Sequence, residues 1–315
     1  MNFERRQEFD CLVVLGPTAS GKTRIAVELA SFLHGEIISA DSRQVYRGLN
    51  IGAGKDYEQY IVQGKRIPYH LIDIADPREQ FYLQDFISLS REAFNRIRSR
   101  DRIPIFCGGT GLYLDSLHKQ FPLTAFPENP ELRKNLEGIS KEELLKKLAH
   151  YPAEWISHID KTSVKRIIRG IEIAEYRTTH PQSDIALTSS RPLHSYYIGI
   201  LLSREEQKIR ISKRLEERMR TGMIEETEEL LQSGLTHERL DQLGLEYRYI
   251  SRFLRGIYNE SEMKEKLLTA IFQFAKRQMT WFRKMEKEGV EINWINSSDD
   301  FKKLTEKLKK IFVVR

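Results

Sequence analysis

Apolar positions along the first third of the chain follow two alternating periods. Cys11-Leu12-Val13-Val14-Leu15 is a continuous apolar run of strand length. Ile25, Ala26, Leu29, Ala30 and Leu33 then recur at helical spacing. Glu36-Ile37-Ile38-Ser39-Ala40 reads as a second strand, and His70-Leu71-Ile72-Asp73-Ile74 as another apolar segment. Residues 86–98 read as a helix with Phe86, Leu89, Ala93, Phe94 and Ile97 on one face, and Ile103-Pro104-Ile105-Phe106-Cys107 as a buried strand. This alternation predicts a parallel α/β sheet over residues 1–120.

The pattern changes at Phe121. Pro122, Pro127, Pro130 and Pro152 punctuate a charged, helix-rich stretch that reaches about His194. It predicts a small helical domain, residues 121–194, inserted into a core made of residues 1–120 and 195–315. Residues 195–202 return as a core strand, and a helix is predicted from Arg204 to about Arg220, ending at Gly222. More helices follow, then a last strand at Glu291-Ile292-Asn293-Trp294-Ile295 and a Lys-rich terminal helix. The chain carries no internal repeat and no low-complexity linker.

Composition adds the setting. The chain has 315 residues, 40% hydrophobic and 30% charged, as expected of a soluble globular protein. The first ten residues lack the apolar core of a signal peptide, and no run approaches the ~20 apolar residues a membrane span needs. A cytoplasmic protein without a membrane partner is expected. Cys11 and Cys107 lie in apolar runs and read as buried thiols. The net charge of +6 is modest, but basic residues cluster at 161–177, 208–220 and 276–287. Such clusters fit either a polyanion partner or ordinary solvated helix faces.

Candidate chemistry starts at Gly16-Pro17-Thr18-Ala19-Ser20-Gly21-Lys22-Thr23, which matches the phosphate-loop pattern in full. A strand precedes it and a helix follows, as the mechanism requires. Backbone N–H groups and the helix N-terminus surround a phosphate, Lys22 adds a point charge, and the Thr23 hydroxyl can reach a magnesium ion. The fold class is therefore a P-loop NTPase-like parallel α/β sheet flanked by helices, with an inserted small helical domain. Asp41 closes a strand beside this loop, where it can serve as a general base, a magnesium ligand or a helix N-cap. Gly108-Gly109-Thr110-Gly111 ends another strand, and Thr110 can bind a ligand edge or simply make a tight turn. In open α/β sheets such strand ends converge on one site. The strand at 103–107 ends without a carboxylate, and Asp73 is a weak substitute, which counts against ATP hydrolysis. Arg210, Arg214 and Arg218 share a helix face. Glu216, Glu217, Glu225 and Glu226 can pair with two of them, leaving one for a leaving group's charge. On the helix at 164–171, Val164, Ile167, Ile168 and Ile171 read as the buried stripe, with Lys165 and Arg169 outside and Arg166 at the border. The eight histidines show no ligand spacing.

Several segments in chain order carry a more specific signal. They are the phosphate loop, then Asp41-Ser42-Arg43-Gln44-Val45-Tyr46-Arg47-Gly48-Leu49-Asn50-Ile51-Gly52 and His70-Leu71-Ile72-Asp73. Next come residues 103–113, then Lys165-Arg166-Ile167-Ile168-Arg169, and last Ala275-Lys276-Arg277-Gln278-Met279-Thr280-Trp281-Phe282-Arg283. From residue 11 to about 284 the chain resembles the tRNA dimethylallyltransferases, also called tRNA isopentenyltransferases. The resemblance implies transfer of a dimethylallyl group from dimethylallyl diphosphate to the exocyclic amine of the adenine 3′-adjacent to the anticodon. The tRNAs concerned read codons beginning with U. No ATP is consumed; the phosphate loop, Gly16 and residues 18–23, holds the diphosphate.

The resemblance also implies roles. Asp41 is the general base, Thr18 hydrogen-bonds at the reacting centre, and Lys22 and Arg214 neutralise the departing diphosphate. Thr23 helps hold Mg2+. Asp41, Ser42, Arg43, Gln44, Thr110, Lys165, Arg166, Arg169, Lys276, Arg277, Gln278, Trp281 and Arg283 contact the tRNA anticodon stem-loop, and the chain is expected to act as a monomer. The chain departs from the family pattern in places. The usual Gly-Thr-Ala-Lys is Gly52-Ala53-Gly54-Lys55, and the usual Arg-Ala-Leu-Glu is Arg169-Gly170-Ile171-Glu172. Arg218 stands where methionine is frequent, and Glu246 replaces a turn glycine, which bears on a local tRNA contact. The alternatives are a small-molecule or nucleoside kinase built on the same loop and a nucleotide-regulated RNA-binding protein without chemistry.

Overall fold

The computed structural model describes residues 9–119, 126, 128–157, 159–180, 191–296 and 298–312. It divides into two compact units, Met1–Gln120 with Arg191–Arg315, and Phe121–Ser190. The expected boundary at 121, with Pro122 and Pro127, lies outside the described residues.

The larger unit begins with β1 (Cys11–Leu15), α1 (Lys22–Leu33) and β2 (Gly35–Ala40). A short hairpin, β3 (Ile61–Val62) and β4 (Lys65–Arg66), precedes β5 (Tyr69–His70). Then come α2 (Leu83–Arg98), β6 (Ile103–Gly108) and α3 (Gly111–His118). The six-stranded main sheet runs β5-β2-β6-β1, followed by two strands from the second half of the chain, and every pairing in it is parallel. Strands β1, β2 and β6 are buried at every residue, because helices cover both faces of a parallel sheet. The apolar segment at 70–74 does not continue as a strand. Leu71 and Asp73 take φ of 63° and 58°, which breaks the pleat. On α2, Phe86, Ala93 and Ile97 are buried as expected, but Ile87 and Ser90 complete the face, while Leu89 and Phe94 are half-buried.

The smaller unit holds α4 (Pro130–Asn135), α5 (Lys141–Leu148), α6 (Ala153–Ile156) and α7 (Val164–Thr179). Its core is Leu136, Leu144, Leu148, Ile156, Ile167 and Ile171. The stripe read on α7 is shifted: Val164 is 42% exposed, and Ile167, Gly170 and Ile171 face inward. Glu172 is the reason Arg169 turns inward. Its side chain is fully covered and accepts from Arg169 at 2.7 Å, Arg133 at 2.8 Å and the Asn129 backbone at 2.8 Å. Arg166 instead points outward and pairs with Asp160. Glu172→Ala removes the acceptor from two partly exposed arginines. It is expected to lower the stability of this unit by about 2 kcal/mol, read as a lower denaturant midpoint.

The chain re-enters the larger unit as β7 (Ser195–Ile200), followed by α8 (Arg204–Arg220) and α9 (Met223–Gln232). Then follow α10 (His237–Leu243), α11 (Leu245–Leu254), α12 (Glu260–Lys287), β8 (Ile292–Ile295) and α13 (Ser298–Phe312). β7 and β8 extend the sheet beyond β1. The 28-residue α12 starts at an Asn259–Glu262 capping box and buries Met263, Leu267, Ile271, Ala275, Gln278 and Phe282 at three- and four-residue spacing.

Candidate functional site

The sheet order decides what meets. β6, sixth in the chain, lies between β1 and β2, and Gly108 pairs with both Leu15 and Ala40. The loops leaving these three neighbours are the phosphate loop, Asp41-Ser42 and Gly109-Thr110. They open into one cavity of about 420 Å³, lined by Thr18, Lys22, Asp41, Thr110, Arg214 and Trp281 among others. This is the crevice outside the carboxyl ends of the strands, at the point where the strand order switches.

The phosphate loop has the expected backbone. Ala19 and Gly21 adopt positive φ of 61° and 85°, and Gly21 caps α1 in the left-handed conformation that a residue with a Cβ resists. Ala19, Gly21, Lys22 and Thr23 line the cavity, while Gly16 and Ser20 are buried beneath it. Burial lowers the Lys22 pKa, and Arg214 and Arg218 lower it further. Burial and then Arg218 bring Arg214 down to about 10. Three cations therefore face a common space. Of the arginine row, Arg214 and Arg218 line the cavity and Arg210 is exposed.

Asp41 starts a turn, not a helix: its Oδ1 accepts from the Arg43 backbone at 2.9 Å, which excludes the N-cap reading. Thr110 joins two of the strand ends, its Oγ1 accepting from the Ser42 backbone at 3.0 Å. Gln278 joins the other pair. Its Oε1 accepts from the Thr18 backbone at 2.8 Å and its Nε2 donates to the Gly109 carbonyl at 2.9 Å. Gln278 is 6% exposed, so its amide works inside the protein. Gln44 is tied to Ser39 at 2.8 Å and to the Gly54 carbonyl at 3.0 Å. Trp281 lines the cavity, and its indole Nε1 is buried without a hydrogen-bond partner among the described residues. Arg277 lines the same cavity from the exposed side of α12, whereas Lys276 and Arg283 border a separate groove with Pro17 and Leu202. Lys165 is exposed on α7. Cys11 and Cys107 are buried, which pushes their thiols up to about 12 and about 11.

Two acidic residues play parts other than those read from sequence. Asp73 is engaged by the Lys55 ammonium and the Tyr57 hydroxyl, so it is not poised for a metal. Glu226 does not pair with the arginine row. Its Oε2 accepts from the Asn50 and Ile51 backbones at 3.0 and 2.7 Å, and its Oε1 from Gly52 at 3.1 Å and Tyr247 at 2.8 Å. It thereby holds the loop 50–54 that forms one wall of the cavity. Nothing in the sequence separates Glu226 from Glu225 beside it. Among the described residues, Asp115, His118 and Glu288 lie close enough to share a cation, but the Lys119 ammonium already pairs with both carboxylates.

Two family models match the chain: IPP transferase over residues 44–285 and isopentenyl transferase over residues 9–73. The tRNA dimethylallyltransferase 2 of Treponema denticola is 48% identical over 286 residues, covering 90% of this chain and 95% of that protein. The tRNA dimethylallyltransferase 1 of Azobacteroides pseudotrichonymphae is 47% identical over 291 residues, covering 92% and 94%. The full-length tRNA isopentenylpyrophosphate transferase of Bacillus halodurans superposes with a TM-score of 0.69 at 31% identity, covering 96% of this chain and 97% of that one. A eukaryotic dimethylallyltransferase acting on tRNA shares the fold, with a TM-score of 0.73 at 21% identity.

Proposed function

This chain belongs to the IPP transferase family and is a transferase of that family, and we propose that it moves the dimethylallyl group of dimethylallyl diphosphate onto N6 of the adenosine 3′-adjacent to the anticodon, in tRNAs reading codons beginning with U. The observation that carries this reading is the meeting of Asp41, just past the end of β2, with Lys22 and Arg214 around a single cavity, while β6 ends in glycines and a threonine. That set suits an anionic leaving group and a proton-losing nucleophile. The relatives favour prenyl transfer over the kinase reading.

The reaction is a direct displacement. The adenine N6 lone pair forms a bond to the allylic carbon, the carbon–oxygen bond breaks, and its electron pair leaves with the diphosphate. The N6 proton passes to the Asp41 carboxylate. Holding amine, carbon and diphosphate in line supplies much of the rate. Lys22 and Arg214 take up the charge that develops on the diphosphate, and Thr18 hydrogen-bonds at the reacting centre. Thr23 offers a hard oxygen beside Asp41 in the same cavity, which fits a magnesium ion carried in with diphosphate oxygens. Such an ion would neutralise part of the diphosphate charge.

The adenine must leave its stack to reach the cavity, and Trp281, which lines it, is the surface that receives the base. Exposed Lys165, Arg166, Lys276, Arg277 and Arg283 contact stem-loop phosphates, with half-buried Arg43 beside them, so affinity falls as salt rises. The protein acts as a monomer in the cytoplasm; among the described residues no helix is long and apolar enough to cross a membrane.

The test is incubation with magnesium, dimethylallyl diphosphate and unmodified tRNA, followed by nucleoside mass analysis. An adenosine heavier by one dimethylallyl group, formed without ATP, is expected. ATP turnover with no such product would return the kinase reading. Lys22→Ala is expected to weaken inorganic diphosphate binding about tenfold or more, since it removes a charged donor. In the unaltered protein the same affinity declines as pH approaches 10. Both Lys22 and Arg214 titrate below their usual values and bind the anion only while protonated, so calorimetry across that range reads their loss.

A further inference from the structure

Arg218 follows Arg214 by one turn of α8, and the two guanidinium groups meet over Gly54. A Cβ at position 54 would collide with Nη2 of both arginines. Gly54 also has φ of 68°, so the loop passes beneath the guanidinium pair in a left-handed conformation that favours glycine. The Arg218 side chain is 11% exposed. Its Nη1 lies 3.4 Å from the Gly52 carbonyl and 3.8 Å from Oε1 of Glu246, while its Nη2 is buried without a hydrogen-bond partner among the described residues. Nε of Arg214 is likewise buried without a partner. Both side chains line the 420 Å³ cavity and also an adjoining cavity of about 770 Å³.

Two enclosed guanidinium groups with unsatisfied N–H donors require an acceptor with several oxygens and more than one negative charge. Glu246 alone does not meet that need. At 3.8 Å it balances charge without making a hydrogen bond. Gly54, Arg218 and Glu246 are three places where the sequence leaves the family pattern, and the fold gathers them at one wall. The absent Cβ gives the second guanidinium room, and the carboxylate gives it a counter-charge.

We infer that Arg218 is a second diphosphate-binding guanidinium of this chain, with Glu246 as its counter-ion. The inference rests on the reading of this cavity as a prenyl diphosphate site. When the diphosphate enters, Arg218 donates to its oxygens alongside Arg214, and Glu246 offsets the added charge so that the released diphosphate is not held too tightly. No bond is made or broken in this step, and the proton on N6 is untouched.

Titration of inorganic diphosphate into the whole protein tests this without tRNA or turnover. Arg218→Met, close in size and uncharged, is expected to bind diphosphate at least about tenfold more weakly. Arg218→Lys keeps the charge but not the fork, and is expected to fall between the two. Glu246→Gln is expected to tighten binding severalfold, a gain largely lost when Arg218→Met is added. Unchanged affinity in Arg218→Met, or an equal gain from Glu246→Gln in both backgrounds, would overturn the role of Arg218. Diphosphate that fails to bind even the unaltered protein would overturn the reading of the site itself. Melting temperatures identify a variant that has failed to fold, and Arg218→Lys then decides the matter alone.

Discussion

Asp41→Ala is expected to lower the single-turnover rate of prenyl transfer by about 10²–10⁴-fold while tRNA binding persists. Asp41 lines the same cavity as Lys22 and Arg214 and is the proposed proton acceptor, whereas the proposed tRNA contacts are many exposed cations spread over the surface. Asp41→Asn sharpens the test. An asparagine Oδ1 can still accept from the Arg43 backbone, so the turn at 41–43 persists, yet the amide cannot take a proton. Asn is therefore expected to be nearly as slow as Ala. An Asn variant with near-normal rate would make Asp41 a residue that shapes the turn and would move the base elsewhere. Nitrocellulose retention of labelled tRNA by each variant supplies the binding control.

The second large effect is expected at Glu226, which touches no substrate. Glu226→Ala leaves three backbone N–H groups and the Tyr247 hydroxyl without their acceptor inside the protein. A loss of about 3 kcal/mol or more in unfolding free energy follows if only some of these donors find water. Glutamine does not rescue it. One amide oxygen can serve one side, but the amide nitrogen then meets a backbone N–H donor to donor, Gly52 on one side or Asn50 and Ile51 on the other. Both variants are expected to release loop 50–54 and raise the KM for dimethylallyl diphosphate. A stable Glu226→Gln protein with an unchanged KM would show that Lys55, buried in its contacts with Asp73 and the Tyr46 carbonyl, holds that loop without help.

The phosphate loop, the strands at 11–15, 36–40 and 103–107 and the helix at 204–220 were legible because their signals are local. Hydrophobic period, a fixed motif and nearby capping residues specify each one within a few turns of chain. The reading failed where distant groups competed. The segment at 70–74, read only as apolar, leaves its strand after His70, where contacts from Lys55 and Tyr57 to Asp73 accompany a left-handed backbone. Val164 looked like part of a buried stripe, but the fully covered Glu172 rotates the inward face and draws Arg169 with it.

The sequence by itself determined that this protein has a parallel α/β core, a phosphate loop, an acidic strand end and a basic α12, and its motifs pointed to one family. Only the tertiary structure decided that β6 lies between β1 and β2, that Gln278 and Thr110 bind the three strand ends together, and that Glu226 serves a loop instead of an arginine. It also brought Gly54, from the first part of the chain, to the same cavity wall as Arg218 and Glu246 from the second. The division has a physical cause. Backbone preference and hydrophobic period act over a few residues, whereas the partner of a buried donor or charge is chosen by whichever acceptor the packed sheet and helices bring within reach.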